Sequence, residues 1–203
     1  IDAATGAELW TREVEAHAGA RITGAPVLHA GRLFVSVSSI EEALAANPAY
    51  PCCTFRGSVV ALDAAGGEQI WKTYVIPEAP GPLAGNEAGQ ERFGPAGAAI
   101  WSAATLDVAR GALYVGTGNA YTQPAAETSD AVMALDLDTG AIRWTNQMTL
   151  ADAFIMGCRG TNANCPEDAG PDHDFGASPA LVTMTNGRDL LVVGQKSGET
   201  YGL

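Results

Sequence analysis

The 203-residue sequence predicts an all-β fold, about three blades of a propeller built from short strands. Three observations lead there. A nine-residue motif recurs, the intervals between its copies each hold about four strand-like runs, and no stretch sustains helical periodicity with caps. The 24 Gly and 11 Pro suit a chain of strands and turns.

The motif comes first. Asp2-Ala3-Ala4-Thr5-Gly6-Ala7-Glu8-Leu9-Trp10 returns as Asp63-Ala64-Ala65-Gly66-Gly67-Glu68-Gln69-Ile70-Trp71 and as Asp136-Leu137-Asp138-Thr139-Gly140-Ala141-Ile142-Arg143-Trp144. Thr200-Tyr201-Gly202-Leu203 reads as the approach to a fourth copy. The copies start 61 and 73 residues apart, so insertions of unequal length separate them. The pattern is that of a hairpin. An apolar strand, Val60-Ala61-Leu62 or Val132-Met133-Ala134-Leu135, ends at an Asp whose carboxylate can cap a tight turn. Glycine supplies the positive φ, and the next strand closes on a large aromatic.

Further strand-like runs follow in order: Ala25–His29, Arg32–Val37, Ala112–Gly116, Ala180–Met184 and Asp189–Val193. Glu41–Ala46 reads as a helical turn. Trp10, Trp71 and Trp144 read as packing between neighbouring blades. Residues 1–203 together read as a segment of one propeller domain. The chain opens in mid-motif and stops in a strand, so further blades and a signal peptide are expected outside it.

Composition narrows the function. With 23 acidic against 11 basic residues the net charge is −12, which argues against a nucleic-acid or anionic-membrane surface. No apolar run is long enough for membrane insertion as a helix. The 47% hydrophobic content argues for a packed core instead of an acidic tail. Four Cys, an even number, suit an oxidising compartment. Cys52 and Cys53 are adjacent, and Cys158 and Cys165 flank a loop. All three pairings remain open. No Cys-x-x-Cys is present, and His29 and His173 lack zinc-ligand spacing.

The repeated Asp-x-x-Thr-Gly-x-x-x-Trp pattern resembles the tryptophan-docking motif of the quinoprotein alcohol dehydrogenases. Those are eight-bladed β-propellers holding pyrroloquinoline quinone (PQQ) and Ca²⁺ on the central axis. Five further stretches resemble the polyvinyl-alcohol dehydrogenases of that family: Tyr50–Gly57, Ile100-Trp101-Ser102-Ala103, Gly116-Thr117-Gly118-Asn119, Gly170–Pro179 and Gly194-Gln195-Lys196-Ser197-Gly198. The resemblance implies oxidation of a secondary alcohol, a polymer in this case, to a ketone, with electrons passed to a cytochrome c. It implies a periplasmic or secreted enzyme, with any haem c in a domain outside this segment.

The resemblance also implies roles for residues. Glu42, with Glu41 as the rival, Asn119 and Asp172 are the expected Ca²⁺ ligands. Thr23 and Ser39 match hydroxyls that bond the cofactor's carboxylates, and Trp101 matches an aromatic floor beneath the quinone. Asp172 matches the base that takes the hydroxyl proton, Asp174 is the alternative, and Asp152 orients their loop. Lys196 matches a cation at the quinone oxygen. Cys52 and Cys53 could form a vicinal disulfide against the cofactor's other face, or pair elsewhere; Cys158 and Cys165 could staple their loop. Ala79–Phe93 and Gly157–Pro171 are expected to shape the substrate entrance. A non-catalytic scaffold propeller of the outer-membrane assembly type would leave Glu42, Asn119, Asp172 and Lys196 scattered, whereas an enzyme requires them to converge. A quinoprotein acting on other alcohols or sugars would share the site and differ in its loops.

Overall fold

The computed structural model describes residues 1–158 and 160–203, and it is almost entirely antiparallel β-structure. The first sheet contains β1 (Ala20–Arg21), β2 (Val27–His29), β3 (Arg32–Ser39), β4 (Ser58–Asp63) and β5 (Gln69–Tyr74). In it β3 pairs with β4 and β4 with β5, while β1 and β2 share the free edge of β3. One short helix, α1 (Glu41–Leu44), follows β3. A separate hairpin joins β6 (Gly81–Leu83) to β7 (Arg92–Gly94).

The second sheet is an up-and-down set of four: β8 (Thr105–Asp107), β9 (Ala112–Gly116), β10 (Ala131–Asp136) and β11 (Ile142–Gln147). The third holds β12 (Ala180–Thr183), β13 (Asp189–Gly194) and β14 (Thr200–Gly202). These are the successive blades that the repeat predicts. The sequence-based strands coincide with β2, β3, β9, β12 and β13 to within a few residues. The β6–β7 hairpin and β8 were not legible, because Gly, Pro and charged residues interrupt any alternation there.

The motif builds the hairpins through backbone capping. Asp63 Oδ2 accepts from the amides of Ala65 (3.1 Å) and Gly66 (2.8 Å), and Asp136 Oδ1 from those of Asp138 (3.0 Å) and Thr139 (2.8 Å). Gly67 and Gly140 then turn the chain with φ of 75° and 73°. The first copy differs in one respect. Asp2 caps its turn in the same way, but Leu9-Trp10 lies in no strand among the described residues. In the later copies the partner strand immediately precedes the Asp.

Trp10 and Trp71 each dock on the glycine of the following copy. A Cβ on Gly67 would lie 2.6 Å from the Trp10 ring, and one on Gly140 would lie 2.5 Å from the Trp71 ring. Apolar residues fill the space between sheets. Phe34, Val59 and Trp71 of the first meet Leu113, Val115, Met133 and Leu135 of the second. Val132 of the second meets Val193 of the third beside Phe175. Burial of these side chains at about 25 cal/mol per Å² holds the blades face to face.

Candidate functional site

The segments that follow β3, β9 and β13 come together. Beyond β3 the chain reaches Glu42, beyond β9 it reaches Asn119, and beyond β13 it reaches Lys196. There a cavity of about 700 Å³ is lined by Glu42, Trp101, Phe154, Met156, Asp172, Asp174 and Lys196 together with Gly157 and Gly160. Trp101 and Lys196 also border an adjoining hollow of about 470 Å³.

The adjacent glutamates at the start of α1 face opposite environments. Glu41 is fully buried, and its carboxylate accepts from the amides of Thr54 (2.9 Å) and Phe55 (2.8 Å) and from the Tyr50 hydroxyl (3.1 Å). His17 Nε2 sits 3.2 Å from the same carboxylate. Glu41 is thus consumed in holding the 50–55 loop. Glu42 lines the cavity with only 9% exposure, and its carboxylate makes no hydrogen bond among the described residues. Burial, together with the nearby Asp174 and Asp172 carboxylates, pushes its pKa up to about 7, against the partial opposition of Lys196. An unpartnered carboxylate in such a position favours a cation.

Asn119 is held by its own amide. Nδ2 donates to the carbonyls of Ala120 (2.6 Å) and Phe154 (2.7 Å), and the backbone amide donates to Asp174 Oδ1 (2.8 Å). With both amide protons committed, Oδ1 remains as an acceptor. Gly118 allows this close approach, since a Cβ there would lie 2.5 Å from Asp174 Oδ1 and 3.2 Å from Trp101 Nε1. Thr23 does not line the cavity; its exposed hydroxyl donates to the Trp101 carbonyl at 2.7 Å.

Asp172 and Asp174 are positioned by buried Asp152. Its two oxygens accept from the amides of Asp172 (3.1 Å) and His173 (2.8 Å). Asp172 itself adopts φ of 65°, a left-handed conformation for a non-glycine residue. Lys196 Nζ then bridges Asp172 Oδ1 (2.5 Å) and Asp174 Oδ2 (3.2 Å). Burial raises the Asp172 pKa, with Lys196 opposing and Asp174 adding to it. The Lys196 pKa is also raised, its desolvation being outweighed by the two carboxylates.

The structure therefore brings Glu42, Trp101, Asp172, Asp174 and Lys196 to one cavity and places Asn119 directly behind it. Ser39, Cys52 and Cys53 are not brought there. Ser39 is buried, and its Oγ accepts from the Glu41 amide at 3.0 Å, so it shapes the turn into α1. Cys52 and Cys53 form a disulfide sealed in the core with Val35, Phe55 and Tyr121, because their loop folds inward beneath Glu41. Cys158 and Cys165 pair across their loop. No group of three or more His, Cys, Asp or Glu able to hold a metal occurs among the described residues. Of the three expected ligands, Glu42 and Asn119 carry uncommitted oxygens, whereas Asp172 Oδ1 is paired with Lys196.

Sequence reasoning missed the apolar wall. Phe154 and Met156 face the cavity while Ala153 and Ile155 are fully buried. In the sequence Ala153-Phe154-Ile155-Met156 is a continuous apolar run, which does not tell the residues that face a cavity from those that face the core.

A family model for the PQQ glucose/ethanol/alcohol dehydrogenase β-propeller domain matches residues 18–203. Two curated relatives, both called polyvinylalcohol dehydrogenase, are 49% identical over 203 residues (Pseudomonas sp.) and 46% identical over 206 residues (Sphingopyxis sp. strain 113P3). Each alignment covers 100% of this chain and 32% of the relative, so the chain spans about a third of the relatives' length. The solved structure of quinohemoprotein alcohol dehydrogenase ADHIIG from Pseudomonas putida HK5 superposes with a TM-score of 0.66 at 20% identity. That superposition covers 100% of this chain and 29% of that one, a likeness of fold.

Proposed function

The chain belongs to the PQQ-dependent glucose/ethanol/alcohol dehydrogenase β-propeller family, and from that premise we propose that it serves an enzyme oxidising the secondary hydroxyls of polyvinyl alcohol to ketones. One observation carries this reading: Glu42, Asp172 and Lys196, far apart in sequence, meet at a single cavity walled by Trp101. A scaffold propeller has no use for that convergence.

The residues present fit the cofactor and its ion. Glu42 is an unpartnered carboxylate and Asn119 Oδ1 an uncommitted acceptor, hard oxygen donors of the kind Ca²⁺ takes. Trp101 offers a flat face for a flat ring. When bound, PQQ supplies the two-electron acceptor, with Ca²⁺ beside it as a Lewis acid.

The chain's own groups do the rest. Asp172, its basicity raised by burial, takes the proton from the substrate hydroxyl at its carboxylate oxygen. Lys196, bridging Asp172 and Asp174, keeps a positive charge at the cavity where negative charge develops. Asp152 fixes the 172–173 backbone, and Thr23 braces the Trp101 carbonyl. Phe154 and Met156 keep water from the reacting carbon. The reduced group would be reoxidised by a cytochrome c, in a periplasmic setting that suits the two disulfides. No helix among the described residues is long and apolar enough to cross a membrane.

The test is reconstitution of the full-length protein with PQQ and Ca²⁺, followed by dye reduction with polyvinyl alcohol as donor. Asp172→Asn should lower kcat by roughly 10²-fold or more while PQQ still binds. A wild-type rate in that variant would remove Asp172 from the mechanism.

A further inference from the structure

Beside the apolar cavity lies a second one of different chemistry. It measures about 550 Å³ and is formed between the 85–92 segment and the described residues of the segment from Cys158 to Ala169, which carries the Cys158–Cys165 disulfide. Its polar lining includes Asn86, Glu87, Arg92, Thr161, Asn162 and Glu167. Gly160 lines both cavities, so the two adjoin.

This second cavity is built in advance. Asn86 Nδ2 donates to Asn164 Oδ1 (2.6 Å), joining the two loops. Asn164 in turn donates to the carbonyls of Asn47 and Tyr50, each at 3.0 Å, and Asn162 to that of Ala46 at 3.0 Å. A rigid cleft loses little entropy on binding. Arg92 stands apart from this network. Its side chain makes no hydrogen bond or ion pair among the described residues, and its Nε is buried without a partner. Nε offers no surface to a ligand, but the terminal guanidinium nitrogens, also uncommitted among the described residues, can donate to an oxygen in the cavity.

The lining also selects the ligand. Among the described lining residues the guanidinium of Arg92 stands with the carboxylates of Glu87 and Glu167, so donor and acceptor groups share one cavity. A hydroxyl group both donates and accepts. It can accept a hydrogen bond from Arg92 and donate one to Glu87 or Glu167, and a row of hydroxyls can do so repeatedly.

We propose that the polar cavity is a distal subsite for the hydroxyl groups of an extended polyol chain, one of whose carbinol carbons occupies the adjoining apolar cavity. The proposal rests on the dehydrogenase reading above and adds to it the means of preferring a polymer over a small alcohol. Arg92 supplies the donor, Glu87 and Glu167 the acceptors, and the Asn86–Asn164 hydrogen bond sets the spacing of the two walls.

The test uses the full-length protein loaded with PQQ and Ca²⁺ and two variants, Arg92→Gln and Glu167→Ala, the latter at an exposed position that leaves folding intact. The ratio of kcat/KM for polyvinyl alcohol to that for 2-butanol should fall about tenfold in each, through KM. Calorimetric affinity of the cofactor-free protein for polyvinyl alcohol oligomers should fall by a similar factor. Unchanged ratios and unchanged oligomer affinities in both variants would overturn the subsite. A wild-type protein that oxidises neither alcohol would instead overturn the dehydrogenase reading, and the oligomer affinities would still decide the subsite.

Discussion

Glu41 and Glu42 are chemically identical neighbours with opposite tasks, and only their directions separate them. Consecutive residues at a helix start point roughly 100° apart. One carboxylate therefore turns into the 50–55 loop and the other into the cavity. Spacing in the sequence located the pair but could not rank it, since the groups that claim Glu41 come from Tyr50, Thr54 and His17. The two glutamines should separate the roles. Glu41→Gln removes acceptor capacity from a satisfied buried group and should cost on the order of 2–3 kcal/mol of stability. Glu42→Gln removes an unpaired charge, and should raise the stability of the metal-free protein at pH 8 by on the order of 1–3 kcal/mol. It should also abolish Ca²⁺-dependent PQQ binding. Thermal melts with and without Ca²⁺ check both outcomes, and equal losses of stability would contradict the assignment.

Among the elements, the hairpin motif was legible because all its physics lies within nine residues: an acid to cap, a glycine to turn, an aromatic to dock. The docking itself is between copies, yet the repeat reveals it, since Trp10 and Trp71 meet equivalent glycines one copy later. The cavity was legible only in part. It is assembled from the segments after β3, β7, β11 and β13, and the resemblance located its charged members. Phe154 and Met156 carry no local mark of function, and the burial of Ser39 and the Cys52–Cys53 pair follows from how their segments pack. Gly140 offers a direct test of the docking geometry. Gly140→Ala would force an alanine into φ of 73° and set its Cβ 2.5 Å from the Trp71 ring. The expected loss is at least about 2 kcal/mol, with intrinsic tryptophan fluorescence shifting as Trp71 leaves its seat. A melting temperature equal to wild type would show that the ring does not need that contact.

At the scale of the whole molecule, the carboxylates fall into two sets with opposed pH dependence. Desolvation opposes ionisation of Glu15 and Asp107, but Lys72 and Arg110 outweigh it and lower both pKa values. Stability from these pairs is present above the unfolded carboxylate range near 4 and is lost as the pH falls through the lowered values. The second set clusters near the cavity. Burial, with Asp152, Asp174 and Asp172 nearby, pushes Asp130 up to about 9, and both its oxygens are buried without partners. Glu42 rises to about 7. A raised carboxyl contributes stability that is complete below its unfolded pKa and is lost as the pH rises through its folded value. The metal-free protein should therefore be most stable near pH 4–5 and weaken by a few kcal/mol toward pH 9. Self-repulsion in a chain of charge −12 acts in the same direction. Asp130→Asn removes one source of the slope without touching a cavity-lining residue. Its melting temperature should exceed wild type at pH 8 and match it at pH 4, and the excess should persist with Ca²⁺ bound. A variant with the wild-type pH profile would mean that Asp130 finds a partner in solution. The acid cluster would then owe its slope to Glu42 and Asp172 alone, and Ca²⁺ should suppress most of it.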